Sequence, residues 1–357
     1  MIINKEAIKN NPKVSVLMSV YNAEDFIDIS ISSIINQTFN DLELVIVNDG
    51  STDNSLEIIK SYDDSRIKII NNMTNQGLTK SLNIGLPHCL GKYIARMDAD
   101  DYSMNSRIQM QYKFFESNPD IDIIGTNAYK IINKERYKID LPLDDKRIKW
   151  QLLFSSPIIH PSVMIRSEIF KKFGNYNAKL MVAQDFEYWC RISQFVKFAN
   201  LPEILHNVRI HSASISNVKK QEQEHSRLET LAKYIYSITK KKYGLDDLNI
   251  FYLMRSKKAL SYQQLKIAIN ILNALQQAYL KKHNRDISYK KFVNKKISWL
   301  ILQPVFSHNI NYHLLPQCLL AAFRFNHSII REKIFFTYMK VALPEAIKKI
   351  SNAYMFR

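Results

Sequence analysis

The stretch Tyr93-Ile94-Ala95-Arg96-Met97-Asp98-Ala99-Asp100-Asp101 begins as a short apolar run with strand character and ends on three carboxylates within four residues. Such a group of like charges is costly unless a cation neutralises it, and oxygen ligands at the end of a strand suit a hard divalent ion such as Mg²⁺ or Mn²⁺. An ion held by few protein ligands completes its coordination with phosphate oxygens. The stretch therefore predicts a site for a metal ion and a diphosphate, with a solvated acidic turn before a helix near Ser106 as the alternative.

Strands and helices alternate before this stretch. The hydrophobic pattern predicts strands over residues 14–20, 42–47, 66–70 and 92–97, with helices between them. This alternation indicates parallel βαβ units, and therefore an α/β fold whose ligands bind beyond the carboxyl ends of the strands. Tyr21, Asp49 and the acidic residues 98–101 all follow such ends, so we expect them to meet in one crevice.

The first two strand ends carry residues that suit a nucleotide base. Tyr21 offers a ring for stacking, and Asp49 offers a carboxylate that accepts a base N–H, although an ordinary Asp-Gly turn is the alternative for Asp49. Neither a glycine-rich Lys-Ser or Lys-Thr loop nor a G-x-G-x-x-G sequence occurs. A P-loop enzyme and a dinucleotide-binding Rossmann unit are therefore excluded.

Four motifs occur in a fixed order: residues 14–22, residues 47–53, Asn75-Gln76-Gly77 with Asn83-Ile84-Gly85, and residues 98–101. Together they resemble family 2 glycosyltransferases of the GT-A fold, over about residues 13–215, and especially bacterial capsule and O-antigen polysaccharide enzymes. The resemblance implies a Rossmann-like sugar-nucleotide transferase domain. It also implies an inverting, Mn²⁺- or Mg²⁺-dependent hexosyl or N-acetylhexosaminyl transfer from a nucleoside-diphosphate sugar, usually UDP-linked, to a glycan or lipid-linked acceptor in surface polysaccharide synthesis.

The resemblance also implies roles for individual residues. Asp100 matches the metal ligand of the D-x-D motif, and Asp98 matches the residue that usually contacts the ribose. The nucleotide-binding set as a whole is Ser19, Tyr21, Asp49, Lys80 and Asp98.

Two positions depart from the family pattern. Asn48 stands where a second Asp is more common, and Leu82 stands where Arg is common. Lys80 lies one helical turn from Leu82, and we interpret it as the substitute cation for the nucleotide.

An inverting transfer needs a carboxylate that takes the proton of the acceptor hydroxyl. In the family this base is the Asp of a Glu-Asp pair that opens a helix, and Asp185 matches it, with Gln184 in place of Glu. A helix cap favoured by the helix dipole is the alternative role for Asp185. Glu187, two residues further on, is the second candidate for the base.

Two histidines complete the candidate site. His160, in a His-Pro segment, resembles an acceptor-side position of polysaccharide-assembling members, with a satisfied structural histidine as the alternative. His211 belongs to an Arg-x-His segment like the one near the end of the family's catalytic domain. It is the second candidate metal ligand, and a surface histidine is its alternative.

Charge divides the chain sharply. Residues 1–218 contain 25 Lys+Arg and 25 Asp+Glu, whereas residues 219–357 contain 25 and 8, so the later residues carry the whole net charge of +17. We therefore predict an N-terminal extension (1–12), the catalytic domain (13–218), and a basic, mostly helical C-terminal region (219–357). Between residues 126 and 149 the pattern predicts only a charged connection.

The basic region indicates an anionic partner. Its lysine clusters and the segment 297–302, which contains Trp299, suit an anionic membrane surface, with a helical packing domain as the alternative. Nucleic acid is not expected, because no helix-turn-helix, zinc-finger or RNP signature occurs. The polar N-terminus and the lack of a membrane-spanning apolar run predict a cytoplasmic protein, peripheral on the inner face of the cell membrane. The sequence contains no signal for the oligomeric state.

A non-catalytic sugar-nucleotide-binding or scaffolding protein of the same fold is the second hypothesis. The departures at Asn48, Leu82 and Gln184 allow it. The presence together of Asp98, Asp100 and Asp185 argues against it, because a scaffold has no need of all three carboxylates.

Overall fold

The computed structural model describes residues 2–3, 11–211, 219–255, 260–283, 286–302 and 315–326. The chain separates into two compact units, Met1–Arg227 and Leu228–Arg357. The predicted boundary after residue 218 falls at the end of the segment 212–218, which lies outside the described residues, so it stays a prediction.

Among the described residues, the first unit contains ten strands and seven α-helices. The strands are β1 (Ile2–Ile3), β2 (Val14–Val20), β3 (Leu42–Asn48), β4 (Ile67–Asn71), β5 (Tyr93–Asp98), β6 (Tyr102–Ser103), β7 (Ile123–Ile132), β8 (Glu135–Ile139), β9 (Met164–Arg166) and β10 (Phe198–Ile210). The helices are α1 (Ile27–Ile35), α2 (Ser55–Ser61), α3 (Leu78–Gly85), α4 (Arg107–Ser117), α5 (Asp145–Gln151), α6 (Ser167–Phe173) and α7 (Gln184–Ile192).

All ten strands join one sheet in the order β1-β4-β3-β2-β5-β9-β7-β10-β6, with β8 paired to β7. The strands β2 to β5 are mutually parallel, which confirms the predicted βαβ units. Every residue of β3 is buried, as expected for a parallel strand covered on both faces. The helix α3 packs closely on this sheet, because a Cβ at Gly85 would lie 2.4 Å from the Leu17 side chain.

Residues 126–149 are not a simple connection, so that prediction is wrong. The strand β7 continues to Ile132, β8 pairs with it antiparallel, and α5 follows with Asp144 as its N-cap. The hairpin turns through Asn133 and Lys134, which have φ values of 48° and 71°, as in a type I′ turn. This turn lacks the usual glycine, and most of β8 is exposed and charged, so the strand signal is weak.

The C-terminal region is helical, as predicted. Its helices are α8 (Lys220–Thr239), α9 (Leu245–Arg255), α10 (Tyr262–Lys282), α11 (Ile287–Leu302) and α12 (Leu315–Phe325). Ser261 and Gln264 form a capping box that begins α10. The hydroxyl of Ser298 donates to the carbonyl oxygen of Ala322 at 2.8 Å, which joins α11 to α12.

The segment 297–302 turns most of its aliphatic side chains inward. Ile297, Ile301 and Leu302 are fully buried, while Trp299 and Leu300 are half-buried, which favours the packing alternative for this part of α11. No helix in the described part of the chain is long and apolar enough to cross a bilayer.

Candidate active site

A cavity of about 540 Å³ opens beyond the carboxyl ends of β2, β3 and β5. Six of the residues singled out by the sequence line it: Ser19, Tyr21, Asp49, Asp98, Asp100 and His211. They meet there because β2 lies between β3 and β5 in the sheet. The expected crevice therefore exists.

Asp49 organises one wall of the cavity. Its buried carboxylate accepts hydrogen bonds from the amide of Asn72 (2.8 Å) and from the backbone N–H groups of Gln76 (2.9 Å) and Gly77 (2.8 Å). The next residue, Gly50, has a φ of 70°, and a Cβ there would lie 2.7 Å from the backbone of Thr74. Asp49 thus holds the loop between β4 and α3 in place, and Gly77 of that loop also lines the cavity.

Tyr21, an aromatic residue that lines the same cavity, is accessible to solvent. The side chain of Tyr21 is 47% exposed, so its ring is available for stacking. Asn22, with a φ of 47°, accepts a hydrogen bond from the backbone N–H of Thr52 at 2.8 Å and so connects the ends of β2 and β3. Asn48 donates its amide to Asn71 on the neighbouring strand, which gives this departure from the family pattern a structural role.

The other half of the cavity is acidic. Nε2 of His211 lies 2.9 Å from Oδ2 of Asp100, and Asp98 pairs with the buried Arg96. Burial, together with the charges of Asp98 and Asp101, raises the pKa of Asp100 to about 6. An excess of negative charge held in this way fits a cation.

The donor set fits a metal ion that is shared with a ligand. Within the described residues, no three His, Cys, Asp or Glu side chains gather into a closed metal site. Asp100 and His211 provide two donors. Mg²⁺ and Mn²⁺ are commonly held by one or two protein carboxylates together with phosphate oxygens and water, so this pair suits an ion that arrives with a diphosphate.

A buried network lies beneath the acidic turn, and no pattern in the sequence predicted it. Nη1 of Arg107 lies 2.9 Å from Nδ1 of His206, whose Nε2 lies 2.8 Å from Oδ2 of Asp101. Because arginine only donates, Nδ1 must accept and Nε2 must carry the proton. Burial and the charge of Arg107 hold the pKa of His206 well below its usual value, so the ring is neutral. Asp101 is 2% exposed, which contradicts the solvated-turn alternative at this residue.

The strand β10 supports the same turn from a second direction. Arg209 donates its backbone N–H to Oδ1 of Asp101 and its Nε to the carbonyl oxygen of Asp100, both at 2.9 Å. Its guanidinium lies 4.7 Å from the ring centre of Phe26, which is also 5.1 Å from the His211 ring. Arg209 lies near the end of β10 and His211 directly follows that strand, so the Arg-x-His segment brings both residues to the acidic turn.

Asp185 lies in the first turn of α7, as predicted, and is half-buried. It is not among the residues that line the cavity, although Met181, four residues earlier, is. Ala183 precedes the helix with a φ of 57°, a left-handed conformation that costs a non-glycine residue roughly 1 kcal/mol. Strain of this kind is concentrated at functional sites.

Glu187 has a different environment. Its Oε1 lies 2.9 Å from Nε of Arg191 in an ion pair. Its Oε2 is buried and has no hydrogen-bond partner in the described part of the chain. The ion pair engages Oε1 of Glu187 with a side chain of its own helix.

His160 and Lys80 lie away from the cavity lining. His160 is 8% exposed, and its Nε2 lies 3.0 Å from the Tyr176 hydroxyl. Burial lowers the pKa of His160 to about 3, which supports the structural alternative. Lys80 is exposed on α3 and does not line the cavity, while Leu82 is fully buried.

Known proteins resemble this chain in sequence and in fold. The sequence model of the family described as glycosyl transferase family 2 matches residues 15–174. The crystal structure of S. aureus TarS (residues 1–349) in complex with UDP is similar, with a TM-score of 0.54 and 18% identity, over 89% of this chain and 91% of that one. This similarity confirms the predicted GT-A fold.

The regions that match this chain make up most of the length of each sequence relative described here. An uncharacterized glycosyltransferase of Haemophilus influenzae is 36% identical over 278 residues, which are 71% of this chain and 84% of the relative. The O-antigen biosynthesis glycosyltransferase WbnJ of Escherichia coli is 33% identical over 208 residues, 56% of this chain and 81% of WbnJ. The family model and these relatives agree, and the chain belongs to glycosyltransferase family 2.

Proposed function

We propose that the protein is an inverting, metal-dependent glycosyltransferase that uses a UDP-sugar to extend a glycan or lipid-linked acceptor in bacterial surface polysaccharide synthesis. The observation that carries the proposal is the single cavity in which Tyr21 and Asp49 lie at one end and Asp100 with His211 at the other. Relatives support it: TarS was crystallised with UDP and with UDP-GlcNAc, and WbnJ is named for O-antigen biosynthesis. The transferred sugar is a hexose or an N-acetylhexosamine.

The donor nucleotide binds across the strand ends. The exposed ring of Tyr21 stacks on the base, and the loop that Asp49 orders closes over it. Ser19 and Asp98 also line the cavity, and we assign both to contact with the ribose. Lys80 has no place in this arrangement, because its exposed side chain does not line the cavity.

Asp100 and His211 would hold the metal ion. A bound Mn²⁺ or Mg²⁺ would supply positive charge that neutralises the diphosphate. Arg209 and Asp101 fix the backbone around Asp100, so its carboxylate needs little rearrangement to bind. Pre-organised charge of this kind is a large part of enzymatic rate enhancement.

Asp185 is the general base. As the acceptor hydroxyl oxygen bonds to the anomeric carbon, the bond from that carbon to the diphosphate oxygen breaks. The carboxylate of Asp185 then takes the hydroxyl proton. Attack occurs from the face opposite the diphosphate and inverts the anomeric configuration. Glu187 is held in its ion pair with Arg191 and stays on the acceptor side.

Heat-induced unfolding tests the donor site without knowledge of the acceptor. UDP at about 100 times its dissociation constant should stabilise the protein by roughly 2.7 kcal/mol, and the upward shift of the midpoint should require Mn²⁺ and disappear with chelator. Asp100→Ala should lose the shift, because it removes a donor to the ion. The unfolding midpoint of the ligand-free variant serves as its control. If no nucleoside diphosphate shifts the wild type, the non-catalytic scaffold becomes the better hypothesis.

The helical region offers a membrane-docking surface. Lys281 and Lys282 end α10, Lys290 and Lys291 lie near the start of α11, and all four are exposed. We call these four lysines the basic hairpin end. Ile287, between the two pairs, is 70% exposed. Lysines beside an exposed aliphatic residue suit an anionic lipid surface, and docking there would bring the enzyme to a lipid-linked acceptor.

Changing the four lysines of the basic hairpin end to Gln should weaken binding to anionic vesicles by ~100-fold or more, since each lysine near such a surface contributes about 1 kcal/mol. Vesicle sedimentation at low and high salt measures this. The matched control removes the same charge from exposed lysines of the first unit: Lys60, Lys113, Lys171 and Lys172. Equal weakening in both variants would mean that net charge, and not this surface, drives binding. Unchanged binding in both would exclude this surface, and a wild type that does not bind anionic vesicles would exclude the membrane proposal.

A further inference from the structure

The segment 174–183, between α6 and α7, leads directly to Asp185. It contains neither helix nor strand, and it begins at Gly174 with a φ of 77° and ends at Ala183 with a φ of 57°. Met181 of this segment is 61% exposed and lines the cavity. Because the segment has no regular backbone ladder, its own position depends on the side chains that hold it.

Two side chains of α3 hold this segment through its backbone. The hydroxyl of Thr79 donates to the carbonyl oxygen of Leu180 at 2.6 Å. The amide of Asn83 donates to the carbonyl oxygen of Tyr176 at 2.8 Å and accepts the backbone N–H of Tyr176 at 3.1 Å. Thr79 and Asn83 are four residues apart, so they lie on the same face of α3. We call this pair the α3 clamp.

The start of α3 is fixed by Asp49, which lies in the part of the cavity that we assign to the nucleotide. The residue before α3 is Gly77, whose backbone N–H donates to Asp49, and Leu78 at its first position lines the cavity. A continuous set of contacts therefore runs from Asp49, through α3 and its clamp, to the segment that precedes Asp185. Thr79 is buried and Leu180 is half-buried, so the bond between them is partly shielded from water.

We propose that the α3 clamp positions Asp185 for the acceptor and transmits the ordering of the donor loop to it. The inference rests on the proposed function, because it takes Asp185 as the base. Thr79 and Asn83 are positioning residues. Neither lines the cavity, and their effect reaches the reaction through the backbone of Tyr176 and Leu180.

Thr79→Val separates positioning from donor binding. Valine keeps the shape of threonine and removes the donor, so nucleotide affinity should be unchanged. The kcat should fall roughly 10- to 100-fold, because displacing a catalytic group by about 1 Å has effects of that size. Thr79→Ser keeps the hydroxyl and should restore kcat. Amide hydrogen exchange of residues 177–185 should be faster in Thr79→Val than in the wild type, and this readout needs no acceptor.

Two further variants make the test decisive. Asn83→Asp keeps the acceptor for the Tyr176 N–H but loses the donor to its carbonyl oxygen, so it should show the same pattern. Thr38→Val removes a hydroxyl that donates to the carbonyl oxygen of Asn105 in an exposed loop, and its kcat and exchange rates should match the wild type.

The outcomes distinguish the clamp from the proposed function. Wild-type kcat and wild-type exchange in Thr79→Val would overturn the clamp while the glycosyltransferase proposal stands. A loss of nucleotide affinity equal to the loss of kcat would overturn it too, because α3 would then only shape the donor pocket. A wild-type protein that neither binds nor uses any nucleotide sugar would overturn the proposed function and, with it, the role of Asp185.

Discussion

Asp185→Asn is expected to reduce the rate of sugar transfer by about 10²- to 10⁴-fold, the range that a positioned general base contributes. The carboxamide keeps the size and shape of the side chain but cannot accept the proton of the acceptor hydroxyl. Asp185 is half-buried in the first turn of α7, and Ala183, not Asp185, is the N-cap of this helix, so the substitution should leave the helix intact. Release of UDP from a panel of UDP-sugars, with and without glycan acceptors, measures the rate.

Nucleotide binding is the control for this variant. Asp185 does not line the donor cavity, so the Mn²⁺-dependent shift of the unfolding midpoint by UDP should be the same as in the wild type. Lost binding together with lost turnover would place Asp185 in the donor site and contradict its role as the base.

Glu187→Gln is the matched variant on the same helix. Because Oε1 of Glu187 is engaged by Arg191, we expect a much smaller loss of turnover than for Asp185→Asn. A large loss in Glu187→Gln with normal turnover in Asp185→Asn would identify Glu187 as the base.

The part of the cavity lined by Tyr21, Asp49 and Asp98 was predictable because it depends on where each parallel strand ends. Tyr21, Asp49 and Asp98 each come at or just after the carboxyl end of a parallel strand, and their strands are neighbours in the sheet. The position of a residue along the chain thus determined its position in the cavity. Which of these carboxylates is free to bind was not predictable, since Asp49 is occupied by three donors of its own protein.

The supporting contacts were not predictable because they join distant parts of the chain. Arg107 and His206 are 99 residues apart, His206 and Asp101 are 105 apart, and Thr79 and Leu180 are 101 apart. The two contacts of His206 require β10 to be paired with β6 and β7, whereas the contact between Thr79 and Leu180 joins α3 to the segment 174–183. An arginine within a helix pattern gives no sign that tertiary packing will bury it.

The basic C-terminal region shows the same difference between what a sequence pattern predicts and what tertiary packing decides. Its composition and periodicity predicted helices correctly, but not which faces they bury. Within α11, Lys290 and Lys291 are exposed, whereas Ile297 and Ile301 are fully buried. The lysines of this helix are therefore exposed, whereas the segment that contains Trp299 buries Ile297 and Ile301 and leaves Trp299 half-buried.

Arg107→Met is expected to destabilise the protein by about 3–5 kcal/mol, the usual effect of breaking a buried charged network by removing one partner. Arg107 is fully buried, and burial lowers the pKa of its guanidinium to about 9. Its Nη1 and Nη2 donate to the carbonyl oxygens of Pro161 (3.0 Å) and Arg96 (2.8 Å), in addition to His206. Methionine fills much of the volume but leaves these three buried acceptors without a donor. The midpoint of urea-induced unfolding measures the loss.

Arg147→Met is the matched control, because Arg147 is 45% exposed and pairs with Asp144 one helical turn away. Exposed pairs of this kind contribute about 1 kcal/mol or less, so its midpoint should stay close to that of the wild type. Arg107→Lys should be intermediate, since a compact ammonium keeps the charge but cannot reach acceptors in several directions at once. Equal midpoints for Arg107→Met and Arg147→Met would show that the network adds nothing to stability. The acidic turn would then be held mainly by β10, through Arg209.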